Sequence, residues 1–196
     1  FEQFQLDPNK KTILVLGGSQ GARAINNAVI KSLEAKHWNS DTQLLWQTGK
    51  RDYTDVNAKA SKLHWDGALF PFANNMQDIY AAADIVIARA GALTLAEIIT
   101  CGLPSILIPF PFAAGDHQKK NAESLSSRKA AIVIDEKNLH TVDLLNEAKG
   151  LINSPRCADM KSAVSKLAEG RKPAVDIITE DIISIIYNTK KAESEN

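Results

Sequence analysis

The sequence predicts an α/β protein built on a parallel sheet with helices on both faces, and three observations carry that expectation. Short apolar runs rich in β-branched residues recur along the chain. Strands buried on both faces read as near-continuous runs of this kind. Segments of helical character separate the runs, so strand and helix alternate throughout. Glycines stand at strand-to-helix junctions, where the backbone must turn sharply.

Taken in order, residues 12–16 form the first strand and end in Gly17-Gly18, and a helix over about 22–36 follows. The alternation continues with a strand at 43–47, a helix at 54–62, a strand at 68–70, a helix at 75–82 and a strand at 84–88. A helix at 93–101, a strand at 105–108, a helix at 117–127 and a strand at 131–134 come next, then helices to about Tyr187. Gly102 and Pro104 follow the helix ending at Cys101, a strong stop. Near the end, Ile177, Ile178, Ile182, Ile185 and Ile186 recur at helical spacing. That apolar stripe packs on the core or docks on a partner domain, with the core favoured.

With 196 residues, 44% of them hydrophobic, the chain suits one domain with a sizeable core. Lysine plus arginine (23) equals aspartate plus glutamate (23), and no long single-sign run appears. Nothing marks a nucleic-acid backbone or an anionic membrane as a partner, so phosphate recognition has to be local. Cys101 and Cys157 lack metal-ligand spacing and are expected to be reduced and structural. No apolar run approaches the ~20 residues of a membrane span, and the start lacks a basic region followed by an apolar stretch, so a cytosolic compartment is expected. The chain starts at Phe1 with a polar lead-in over 1–11, which suggests a piece of something longer; 12–189 is expected as the folded domain and 190–196 as a frayed tail.

In open parallel sheets, ligands bind outside the carboxyl ends of the strands. Four segments follow strands. Residues 17–23, Gly-Gly-Ser-Gln-Gly-Ala-Arg, lead from a strand into a helix whose free N–H groups and dipole favour an anion such as a diphosphate. They lack both the Gly-Lys-Ser/Thr of a P-loop and the Gly-x-Gly-x-x-Gly fingerprint, and a plain tight turn accounts for them equally well. Residues 89–97, Arg-Ala-Gly-Ala-Leu-Thr-Leu-Ala-Glu, repeat the arrangement. Thr94 and Glu97 have capping-box spacing, the simpler account on spacing alone, yet a carboxylate at the sheet's carboxyl edge can also accept both ribose hydroxyls. Residues 109–122 form a proline-held loop opening into a helix, suited to sugar hydroxyls, with His117 favoured as a hydrogen-bonding group over a general base and Asp116 available as an N-cap. Residues 71–76 could hold a flat base through backbone groups and an apolar side chain, with core packing as the alternative.

Together and in this order, the four segments resemble the MurG family of inverting glycosyltransferases over about residues 11–131. The resemblance implies a Rossmann-like donor domain, the C-terminal half of a two-domain GT-B enzyme that moves N-acetylglucosamine from its UDP derivative to lipid I, making lipid II for peptidoglycan. It implies that Gly18, Ser19 and Gln20 lie at the diphosphate. Phe72 and Ala73, through their backbone, and Met76 surround uracil. Arg89, Ala92, Leu93 and Thr94 cradle phosphate and sugar, Glu97 binds the ribose, and His117 and Gln118 meet the N-acetylglucosamine hydroxyls. Ala73 is smaller than the aliphatic residue usual there, which a backbone contact tolerates.

The same resemblance puts the lipid-acceptor site, a membrane-facing apolar patch and the catalytic base in an N-terminal domain that these residues do not include. No catalytic residue is therefore assigned, and binding without turnover is expected. The implied displacement inverts the anomeric carbon and needs no cofactor or metal, because helix dipoles and N–H donors stabilise the departing UDP. The full-length protein would be cytoplasmic and peripheral on the inner face of the plasma membrane. The alternatives are a stand-alone donor subunit of a lipid-linked-oligosaccharide N-acetylglucosaminyltransferase and a non-catalytic nucleotide-sugar module. A sugar-nucleotide epimerase would require more carboxylates than Glu97 beside His117.

Overall fold

The computed structural model describes residues 4–18, 20–35, 38 and 41–169. Strands β1 (Lys11–Leu16), β2 (Thr42–Gln47), β3 (Gly67–Phe70), β4 (Ile85–Ala88), β5 (Ser105–Leu107) and β6 (Ile132–Val133) alternate with helices α1 (Arg23–Glu34), α2 (Tyr53–Ala60), α3 (Met76–Ala81), α4 (Ala92–Thr100) and α5 (His117–Ser126). Helices α6 (Leu144–Ile152) and α7 (Pro155–Ala168) close the described part. The strands form one parallel sheet in the order β3-β2-β1-β4-β5-β6, the order of doubly wound nucleotide-binding sheets.

That order follows from handedness. Right-handed crossovers from β1 outward through β2 to β3 put α1 and α2 on one face, and those from β4 outward put α4 and α5 on the other. Accordingly α1 packs with α2 and α6, whereas α4 packs with α5 and α7. Both faces of the sheet are covered, as expected. Ile13, Leu14, Val15, Leu44, Leu45, Trp46, Ile85, Val86 and Ile87 have no exposed surface, which explains why these strands read as unbroken apolar runs.

The element ends show local chemistry at work. Asp84, expected as the first residue of its strand, lies just before β4: its amide donates to Thr12 O (2.9 Å), and its carboxylate accepts from the Thr12 amide (2.9 Å) and from Lys11 Nζ (3.1 Å), joining the entrances of β1 and β4. The strand expected over 131–134 shrinks to Ile132–Val133, an edge bonded only to β5. The stop after α4 is a Schellman turn: Gly102, at φ +65°, donates to Ile99 O and Leu103 donates to Ile98 O. Asp143 caps α6 by accepting from the Asn146 amide at 3.1 Å, and Pro155 stands at the start of α7, where a missing N–H costs nothing.

The lead-in packs on the domain. Leu6 is buried, Phe4 stacks on Phe70 at 5.6 Å, and Asp7 exchanges two backbone-to-side-chain hydrogen bonds with Gln43. Cys101 and Cys157 are both free thiols. Among the described residues no helix is long and apolar enough to cross a membrane. The isoleucine stripe over 177–186 and the tail at 190–196 lie outside the described residues.

Candidate functional site

The strand order reverses between β1 and β4, which are adjacent while their helices leave on opposite faces. A crevice opens at such a switch point, and the two glycine segments noted in the sequence both border it.

The turn after β1 is built by close approach. Gly17 donates to Gln47 O at 2.8 Å. A Cβ on Gly17 would lie 2.9 Å from two carbonyl oxygens, those of Gln47 and Thr48. Gly21, at φ +84°, faces Gly49, at φ +83°, in the turn after β2; a Cβ on Gly49 would come within 2.2 Å of the Gly21 Cα. Neither position accepts another residue without movement. Beneath the turns Asp52, 4% exposed, accepts from Asn26 Nδ2 at 3.2 Å and pairs with Arg23 and Arg51 at 3.5 Å. Asn26 in turn donates to Thr48 O and accepts from Trp46 Nε1, both at 3.0 Å. This network fixes the start of α1 against β2. Gly18, at φ +69°, and Gln20 are exposed on the turn, whereas Ser19 lies outside the described residues.

After β4, Gly91 stands extended (φ −68°, ψ 146°) as the N-cap of α4, and among the described residues no side chain caps that helix. The first-turn amides of a helix lack intrahelical partners, so Ala92, Leu93 and Thr94 present donors that no capping side chain claims. The capping-box alternative for Thr94 and Glu97 therefore falls, because Thr94 sits inside the first turn and Glu97 in the second. Glu97 instead accepts a hydrogen bond from the Tyr80 hydroxyl at 2.8 Å, which ties α4 to α3. Burial, first, and the Glu97 carboxylate, second, push the Tyr80 phenol up, so it stays a donor.

Arg89 is taken up by the neighbouring strands. Its guanidinium donates to Ile108 O (3.1 Å) and Pro109 O (3.3 Å), pairs with Glu136 and lies 5.3 Å from the Phe110 ring centre. It thus braces the loop after β5. Gln118 Oε1 accepts from the Phe110 amide at 3.0 Å, leaving its NH₂ group available. His117 Nδ1 donates to Ala114 O at 2.7 Å, an assignment that leaves Nε2 as the acceptor in the neutral ring. Asp116 occupies the N-cap position of α5 in the left-handed region, φ +55°, but makes no capping hydrogen bond. Asn121 Nδ2 bonds Ala90 O at 3.0 Å and holds α5 to the end of β4.

At the far side, Phe72 and Ala73 follow β3, and Met76 opens α3. Phe72 is 40% exposed with the Lys50 ammonium 5.4 Å from its ring centre, while the Ala73 amide already donates to Gln47 Oε1 at 3.1 Å. All the described candidate residues thus lie at the carboxyl edge of the sheet. Tyr80 joins the α3 and α4 sets, and the brace of Arg89 and Gln118 organises the β5 loop. Sequence reasoning missed Tyr80, Asn26, Asp52 and Glu136, whose partners are distant in the chain. A groove of about 620 Å³ between α1 and the loops after β5 and β6, lined by Ala24, Lys31, Phe112, Glu136 and His140 among others, contains none of the sequence-predicted site residues. Among the described residues no cluster of His, Cys, Asp or Glu could hold a metal ion.

A doubly wound parallel sheet with two helix starts beside its switch point gives the chain the Rossmann-like architecture of a GT-B glycosyltransferase domain. The chain belongs to the glycosyltransferase family 28 C-terminal domain family, whose model matches residues 12–177. It is 40% identical over 168 residues to a UDP-N-acetylglucosamine--N-acetylmuramyl-(pentapeptide) pyrophosphoryl-undecaprenol N-acetylglucosamine transferase of Chlorobium phaeobacteroides, covering 85% of this chain and 44% of the relative. A protein of the same description from Nitratidesulfovibrio vulgaris is 37% identical over 183 residues, covering 93% and 50%. Among solved structures, Acinetobacter baumannii MurG superposes with a TM-score of 0.75 at 26% identity, over 92% of this chain and 51% of that one. The MurG resemblance and the fold class are thereby borne out. The chain spans about half the length of these relatives.

Proposed function

We propose that this chain is the donor-binding half of an inverting N-acetylglucosaminyltransferase, holding UDP-N-acetylglucosamine across the carboxyl edge of its sheet. The observation that carries the proposal is the pairing at one switch point of two helix starts, α1 behind an interlocked glycine turn and α4 with uncapped amides, beside the Glu97 carboxylate. The helix starts would take the diphosphate, with Gly18, Ser19 and Gln20 on one side and Ala92, Leu93 and Thr94 on the other. Glu97 would accept the ribose hydroxyls, and Phe72, Ala73 and Met76 would border the uracil. Arg89 would serve the phosphate and sugar cradle through the loop it braces, placing His117 Nε2 and the Gln118 amide group against the sugar hydroxyls.

As the bond to the anomeric carbon breaks, negative charge gathers on the diphosphate, and fixed N–H donors aimed there lower the barrier without reorganising. The other half of the enzyme would bind lipid I, supply the base and rest on the inner face of the plasma membrane, giving a cytoplasmic, peripheral location. Residues 12–189 are proposed as the donor unit, with the lead-in packed against it.

Calorimetric titration with UDP, UMP and uridine tests the assignment. Affinity is expected to fall by about tenfold or more when the outer phosphate is removed and again when the second is removed, since charge-assisted hydrogen bonds are worth roughly 1.5–3 kcal/mol each. Equal affinity for the three would refute a diphosphate site at the helix starts.

A further inference from the structure

The Tyr80–Glu97 contact joins two elements that approach the switch point separately. Glu97 is half-buried in the second turn of α4; Tyr80 is 4% exposed on α3, with its hydroxyl 2.8 Å from Glu97 Oε2. A glutamate side chain has three rotatable bonds, and at a partly exposed position it loses that freedom when it grips a ligand. Here one carboxylate oxygen is already fixed by a buried donor. An ionised carboxylate offers about four lone-pair sites, so a single hydrogen bond to Oε2 leaves Oε1 and the second site on Oε2 for two neighbouring hydroxyls. Tyr80 itself is held in place by its burial, and α3 is the helix that starts at Met76, on the base side of the crevice.

We propose that Tyr80 is a positioning residue for ribose recognition: its hydroxyl presets the Glu97 carboxylate to receive the two vicinal hydroxyls of the donor ribose and so contributes to discrimination against deoxyribose. The inference rests on the donor-site proposal above and adds a residue and a specificity to it. The bond to Oε2 withdraws some charge from the carboxylate and weakens it slightly as an acceptor. The orientation it imposes is the larger effect, because an immobilised side chain avoids an ordering cost of about 0.5–1.5 kcal/mol on binding and keeps the hydroxyl hydrogen bonds well aligned.

The test is a cycle of two proteins and two ligands, wild type and Tyr80→Phe against UDP and 2′,3′-dideoxy-UDP, read by calorimetry. Phenylalanine fills the same space, and the freed Glu97 oxygen is close enough to the surface to take a water, so the variant folds; thermal unfolding of both proteins checks this. Tyr80→Phe is expected to weaken UDP by about two- to tenfold while leaving dideoxy-UDP unchanged. The ratio of the two affinities is measured on one sample and does not depend on the fraction folded. Equal losses for both ligands would show a merely structural tyrosine and overturn the proposal, as would no loss for UDP. A wild-type chain that binds UDP and its dideoxy analogue equally well would instead remove the ribose role of Glu97, and the Tyr80 role with it.

Discussion

Replacing Glu97 by alanine is expected to weaken UDP binding by about 100-fold or more, the largest single loss of affinity in the site. The carboxylate would accept two ribose hydroxyls, and hydrogen bonds to charged groups contribute roughly 1.5–3 kcal/mol each, so losing both costs more than the 2.7 kcal/mol that corresponds to about two decades. The same substitution leaves the buried Tyr80 hydroxyl without its acceptor, which adds a stability loss of about 1–3 kcal/mol. Glu97→Gln separates the two effects. It keeps an acceptor for Tyr80, so thermal unfolding stays close to wild type, but loses charge and one acceptor, so UDP still weakens. Calorimetry and thermal unfolding on the two variants together check both expectations; Glu97→Ala binding UDP as wild type does would remove Glu97 from the site.

Gly49→Ala is expected to cost a large part of the stability while also disturbing the site. Gly49 sits at φ +83°, where a Cβ is strained, and that Cβ would lie 2.2 Å from the Cα and the nitrogen of Gly21, atoms of backbone that cannot rotate away. The left-handed conformation costs roughly 1–2 kcal/mol for a non-glycine residue and overpacking typically another 1–3, so a loss of about 3 kcal/mol is expected from urea unfolding. Relief can come only by pushing the turn after β1 away from the turn after β2. UDP affinity should therefore fall in Gly49→Ala even though Gly49 is not proposed to touch the nucleotide. Unchanged stability would mean that the two turns are not locked together.

Much of this fold was legible in the chain because local chemistry decides it. The β-branched runs around Ile13, Leu44 and Ile85 are strands buried on both faces, and the stop at Gly102 was visible because only a residue tolerant of positive φ closes that turn. The order of the strands was not legible: it depends on the handedness and packing of crossovers, not on any one segment. Asp84 shows a smaller limit: its amide bonds Thr12 O as a strand residue would, but the Thr12 amide is taken by the Asp84 side chain, so the strand begins one residue later.

The site divides in the same way. The glycine turns and Glu97 stood out because they follow strands, but the spacing of Thr94 and Glu97 imitated a cap that the extended Gly91 had already displaced by one turn. Tyr80, Asp52 and Glu136 carried no local signal. Each acts on a partner from another element: Tyr80 on Glu97, Asp52 on Arg23 and Asn26, Glu136 on Arg89. Within the sequence, Asp52 is only a polar residue near a turn.

The most direct test is a crystal structure of the chain with UDP-N-acetylglucosamine bound. The predicted result places the diphosphate at hydrogen-bond distance, about 2.7–3.2 Å, from the amides at Gly18 and at Ala92 to Thr94, with both ribose hydroxyls on Glu97 and the uracil beside Phe72 and Ala73. A nucleotide seated instead in the groove between α1 and α2, lined by Arg23, Asp52 and Lys59, or a diphosphate remote from both helix starts, would contradict the account.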